Sequence, residues 1–255
     1  MISLYKGLYA VYLSVAALCA AGAAVAVYFY PTQAISIVSI AIIIFGFTGI
    51  FIIRITREKF KNEVMSLLYN CRAQDFMDKV DELFKDKHSK AHKSTYAWLK
   101  ALGYDVIGDF DAMYECCQNI TKKSHMSEYH RRMITYYVEK DNIERAKDEI
   151  EKLKVLSSTT SGPDKIMIDR YIGEGTRAIK LKLHDVEDLD KFYEGESTDA
   201  GSVLLSLVSF AETYGQVLII KGEKEKARKQ LLFASENGGD TKYKKYADKL
   251  LAELD

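Results

Sequence analysis

Residues 8–53 read LYAVYLSVAALCAAGAAVAVYFYPTQAISIVSIAIIIFGFTGIFII, and none of them carries a charge. Each of the two apolar runs in this stretch, 8–30 and 34–53, is long enough as a helix to cross a hydrocarbon core of ~30 Å. Only Pro31, Thr32 and Gln33 separate the runs, so the crossings turn straight back on each other as an antiparallel hairpin. Tyr5, Tyr9 and Tyr12 lie near one end and Tyr28, Phe29 and Tyr30 near the other, where amphipathic rings favour the membrane interface. Lys6 precedes the first run, while Arg54, Arg57, Lys59 and Lys61 follow the second. Positive flanks stay on the cytoplasmic side, so both termini are expected to face the cytoplasm.

The small-residue run Ala20-Ala21-Gly22-Ala23-Ala24 invites a signal-peptide reading. Against it, one lysine makes a weak n-region and the apolar stretch exceeds an ordinary h-region. Leu18 also stands where a lipoprotein site at Cys19 would need a small residue. A compact hairpin without organelle-targeting features points to an integral protein of a bacterial plasma membrane. No ionisable residue lies inside either crossing, which leaves no proton or ion path through the hairpin itself. The alanines and Gly22 of the first crossing permit close helix approach, either to the second crossing or to another integral membrane protein.

Over 255 residues, 36 basic and 36 acidic side chains balance, with 48% apolar content. Lys6 is the single charge before Arg54, so the remainder carries 35 basic and 36 acidic residues. A net charge near −1 gives no electrostatic case for nucleic-acid binding. With 15 Gly, 2 Pro and 4 Cys the chain is neither collagen-like, disordered nor disulfide-built. Cys19, Cys71, Cys116 and Cys117 include no CxxC pair, and the adjacent last two cannot form a relaxed bridge, so they read as reduced structural thiols. The expected organisation is a hairpin over 1–57 and a cytoplasmic domain over 58–255.

That second domain reads as all-α. Apolar residues recur at helical spacing, as in Trp98, Leu99, Leu102, Val106, Met113 and Ile120, and strand-like alternation is scarce. Short turns interrupt helical pairs at Gln74-Asp75-Phe76, Gly108-Asp109-Phe110, Asp141-Asn142-Ile143, His184-Asp185-Val186 and Gly222-Glu223-Lys224. Phe76 to Phe110 is 34 residues, Phe110 to Ile143 is 33 and Ile143 to Val186 is 43, with Ser157 to Pro163 supplying the insertion. Tyr243, Tyr246, Leu250, Leu251 and Leu254 among lysines and acids form an amphipathic last helix, expected to cap the exposed end of the array.

The chemistry-bearing patterns are weak. His88 and His92 sit one turn apart, but Ser89 stands where a metalloprotease motif needs glutamate, and lysines surround the pair. Gly173-Glu174-Gly175 lacks a preceding strand and a third glycine, and reads as a loosened stretch of helix or a bend. Ser94 near His92, and Asp109 near Asp111, do not make a triad. Neither a catalytic residue, a metal site nor a cofactor site is expected.

The residues Tyr214, Gly215, Leu218, Gly222, Ala227, Leu231 and Ala234 carry a pattern that resembles the tetratricopeptide repeat (TPR). Tyr104, Gly108, Met113, Cys117 and Ile120 repeat it, as do Tyr137, Asp141, Ala146, Ile150 and Leu153, while the first and fourth copies are degenerate. The resemblance implies an α-solenoid over about 190 residues whose concave face binds a protein or peptide partner. It places in that groove Thr95, Trp98, Leu102 and Asp105 from the second copy, Glu128, Arg131 and Thr135 from the third, and Ser209, Glu212 and Gln216 from the last. Trp98, the single tryptophan, reads either as a ligand anchor or as core. The expectation is a membrane-anchored interaction scaffold; the alternative is an accessory subunit of a transporter, secretion or protease complex held mainly through its hairpin.

Overall fold

A computed structural model describes residues 6–30, 32–87, 89–195 and 203–254. Tyr5, Pro31 and His88, which entered the readings of the hairpin and the histidine pair, lie outside them. Among the described residues there is no strand, and the chain divides into two compact units, Met1–Ser66 and Leu67–Asp255.

In the first unit, α1 spans Lys6–Phe29 and α2 begins at Ala34. Both are long and apolar enough to cross a membrane. They pack on each other: the Tyr12 and Phe45 rings lie 5.2 Å apart, and Tyr12 packs beside Gly49. Outward, large side chains such as Leu18 and Phe47 are exposed. Three hydroxyls within the runs, those of Ser14, Ser39 and Thr48, each donate to the carbonyl four residues earlier. A hydrocarbon surrounding requires that, because it offers no other acceptor. The α-helix runs beyond the apolar stretch to Phe60, passes through a π-turn over Lys61–Met65 and ends with Ser66–Tyr69.

The second unit continues with α3 (Ala73–Phe84), α4 (Lys90–Ile107), α5 (Phe110–Cys117), α6 (Met126–Glu139), α7 (Ile143–Ser158), α8 (Gly162–Lys182), α9 (Glu187–Gly195), α10 (Leu204–Ile220), α11 (Lys224–Asn237) and α12 (Lys242–Leu254). One turn geometry recurs five times. Cys71, Gly108, Asp141, His184 and Gly222 all have positive φ. The following residue's N–H in each case bonds the carbonyl five positions back: Arg72 to Leu67, Asp109 to Tyr104, Asn142 to Tyr137, Asp185 to Lys180 and Glu223 to Leu218. This is a Schellman stop, which satisfies carbonyls left over at the helix end and reverses the chain. Asp109 and Asn142 then cap the next helix, accepting from the N–H of Ala112 and Arg145.

The left-handed residue gives the register of the repeat. Five positions beyond it stand Phe76, Met113, Ala146, Leu189 and Ala227, every one buried. Nine beyond it stand Val80, Cys117, Ile150, Tyr193 and Leu231, also buried. The first turn therefore differs from the sequence expectation: Gln74, Asp75 and Phe76 lie inside α3, and the chain reverses at Asn70-Cys71-Arg72 instead. Aligning phenylalanines misplaced that turn because Phe76 fills the position that Met113, not Phe110, fills in the next copy.

Glycines mark close helix approach. At Gly215 a Cβ would lie 2.6 Å from Leu231 Cδ2, so Gly215→Ala is expected to cost about 1–3 kcal/mol, read as a lower midpoint in denaturant unfolding. A Cβ at Gly175 would likewise lie 3.1 Å from the Ile134 side chain. Gly173-Glu174-Gly175 lies inside α8, which runs through it without interruption, and close packing on α6 accounts for Gly175.

The last helix does more than cover one end. It packs on α10 and α11 and also returns to α4, so the contacts from α4 through α6, α8, α9, α10 and α12 close a circuit.

Candidate functional site

The inner helices of this circuit surround a basin of about 1370 Å³. Counting back from the left-handed residue explains its lining. Six positions before it lie Leu102, Thr135, Ala178 and Gln216, and three before it lie Asp105, Val138, Leu181 and Ile219. All eight face the basin. A step of three keeps two residues on one helical face, so equivalent turns present equivalent faces inward.

Of the ten groove residues expected from the repeat pattern, Leu102, Asp105, Arg131, Thr135, Ser209, Glu212 and Gln216 line this one basin. Thr95, Trp98 and Glu128 do not. Thr95 donates its hydroxyl to the Ala91 carbonyl of its own helix. Trp98 packs against the core around Ala97, Ala101, Met113 and Met133, and its ring stacks on His125 at 4.7 Å. Glu128 is held in a network beside the basin, where it accepts from Arg132 at 2.6 Å and from the Tyr171 hydroxyl.

A buried charge cluster forms part of the wall. Asp105 Oδ1 lies 2.8 Å from Lys242 Nζ, and its Oδ2 lies 3.2 Å from Arg131. Arg131 also reaches Glu128 at 3.6 Å and Glu174 at 3.9 Å. Burial alone would raise the Asp105 carboxyl, but Lys242 and Arg131 outweigh it and hold the group well below the usual carboxylate range. Glu212 behaves in the opposite way. It is 2% exposed, with Gln216 and Thr213 donating to it and no direct cation partner among the described residues, and burial lifts its pKa to about 7.

Sequence reasoning overlooked two contributors. The fourth hairpin supplies Glu174, Arg177, Ala178 and Leu181 from α8 and Phe192 from α9. Its Lys180 replaces the aromatic of the pattern, yet counting from His184 finds its inward positions. The C-terminal helix supplies Lys242, Tyr246 and Lys249, and no local signal announces that this helix returns to α4.

The weak chemical motifs have structural roles. Ser89 accepts from the N–H of His92 at the start of α4, and Ser94 accepts from the N–H groups of Thr121 and Lys122. Among the described residues no group of three or more His, Cys, Asp or Glu is placed to hold a metal. Cys71 and Cys117 are buried, and burial pushes their thiols up to about 11 and about 12.

This geometry defines an all-α protein with two N-terminal apolar helices and a domain of helical hairpins around a polar and apolar basin. No family model, no curated protein and no solved structure matches the chain.

Proposed function

We propose that this chain is a membrane-anchored interaction scaffold whose TPR-like domain takes a protein or peptide segment into its basin. The two apolar helices would hold that domain at the cytoplasmic face of a bacterial plasma membrane, with both termini on that side, as the positive flanks argue. One observation carries the recruitment reading: equivalent positions on α4, α6, α8 and α10 converge on a single basin, offering hydroxyl, amide, charged and apolar groups together. Such mixed lining suits a peptide, which presents backbone polar groups and side chains at once.

A photocrosslinking amino acid at Thr135, Ala178 or Gln216 in native membranes is expected to capture a stoichiometric partner. The same probe at Lys147 or Glu151, exposed on α7, is expected to capture none. Capture confined to the α7 positions, or to none, sinks the reading.

A specific feature favours the accessory-subunit reading as second. Ala20, Ala21 and Ala24 are exposed and lie on one side of α1, so this small-residue face is not used by α2. Another membrane helix could approach closely there. Exchanging the hairpin for an unrelated one separates the readings: recruitment through the basin survives the exchange, and assembly through α1 does not.

A further inference from the structure

The C-terminal segment joins α3, α4 and α6 through a seam unlike the other helix contacts of the domain. Neighbouring helices elsewhere meet mainly through buried apolar clusters. Along the seam the bonds are polar. The Asp240 carboxylate accepts from the N–H groups of Ala73 and Gln74 at 2.6 and 2.7 Å, capping α3 from 167 residues away. Lys242 bonds Asp105 at 2.8 Å, Lys245 donates to the Ile107 carbonyl at 3.0 Å, and the Tyr246 hydroxyl donates to Glu139 at 3.3 Å. The backbones also approach closely, since a Cβ at Gly239 would lie 2.1 Å from the Cys71 carbonyl oxygen.

The opposite side of α12 is apolar. Ala247, Leu250 and Leu251 pack in the cluster of Val208, Leu231 and Ala234, which ties α12 to α10 and α11. Cys71 is the buried residue from the first hairpin that enters that cluster. Hydrogen bonds give little net stability when water can replace the partner, whereas apolar burial is lost outright on separation. The seam is thus the weaker of the two attachments, and local openings follow weak attachments.

We propose that the α10–α12 body is a latch: its polar seam with α3, α4 and α6 releases while α6, α7 and α8 stay folded, removing the wall that Lys242, Tyr246 and Lys249 give the basin. Opening would expose the Cys71 thiol, which is 1% exposed in the closed state, and leave Cys117, buried between α4, α5 and α6, covered. The two cysteines therefore form a built-in pair of reporters.

The test is alkylation of the full chain in lipid nanodiscs with N-ethylmaleimide, followed by peptide mass spectrometry, alongside amide hydrogen exchange. Asp240→Ala is expected to speed Cys71 modification by roughly fivefold to tenfold, the factor that a lost helix cap corresponds to, without changing Cys117. Exchange at Ala73, Gln74 and 242–254 should rise together, while that of 126–182 holds. Lys245→Ala, at an exposed lysine whose loss spares the core, is expected to give a smaller rise in the same direction. Equal acceleration of Cys71 and Cys117 would mean that the domain opens only as a whole. An unchanged Cys71 rate in both variants would mean that the seam does not open. Either result overturns the latch.

Discussion

Glu212→Gln raises the stability of the helical domain at pH 8 by about 3 kcal/mol and leaves it nearly unchanged at pH 4. The sign follows from which state holds the proton more tightly. Burial lifts the Glu212 pKa from 4.5 unfolded to about 7 folded, so between those values the folded chain binds a proton that the unfolded chain has released. Below pH 4.5 the group is neutral in both states and costs nothing by this route. As pH rises through 7 the folded domain must carry a buried carboxylate, and stability falls. Glutamine keeps an acceptor for the Gln216 amide without the charge. Denaturant unfolding of the full chain in detergent, followed by fluorescence of Trp98, reads the difference directly, since that ring is half-buried and stacked on His125. Parallel pH profiles for the variant and the native chain would show that Glu212 ionises normally.

The other large effect belongs to Asp105. Asp105→Leu strands Lys242 in a buried site and removes one partner of Arg131, with an expected cost of about 3–5 kcal/mol. Lys242→Met alone is expected to cost about as much, because it leaves the carboxylate without its nearer cation. The double variant should cost clearly less than the sum, since it removes both buried charges together while Arg131 keeps Glu128 and Glu174. Additive losses in a double-mutant cycle would show that the two residues do not act as a pair. The native pair also has a pH signature opposite to that of Glu212. Asp105 is held below the usual range, so its contribution is present above the unfolded carboxylate pKa and is lost as pH falls through the folded value.

Much of this architecture was legible because periodicity and charge are local properties. Forty-six consecutive uncharged residues, 8–53, are enough to mark the apolar helices. Gly108 and Gly222 announce their turns through a conformation that glycine adopts freely, while Cys71 and His184 adopt it without that signal. The turn at Cys71 therefore carries no glycine signal, and in the fourth copy Lys180 stands where the pattern has an aromatic, which hides its inward positions although its turn at His184 is legible. Seven residues that line the basin were recoverable from three copies because a helix face repeats faithfully once its end is known. Trp98 was not separable in this way: its position in the pattern points inward, and only the packing of His125 and Met113 shows that it belongs beside the core. Nor could spacing reveal the return of α12 to α4, since Asp105 and Lys242 stand 137 residues apart.

That separation bears on how the protein is made. A chain of helical hairpins could fold progressively as it leaves the ribosome, each hairpin settling on the one before it through short-range contacts. Here the N-terminus of α3 waits for Asp240 and the Asp105 carboxylate waits for Lys242, so the earliest hairpins remain incomplete until more than 130 further residues have been synthesised. Closing so long a loop carries its entropy cost before any of those contacts forms. The nascent domain consequently passes through a stage with Asp105 and Arg131 lacking the nearby Lys242 and with the Cys71 thiol uncovered, during which it depends most on dilution or on a chaperone.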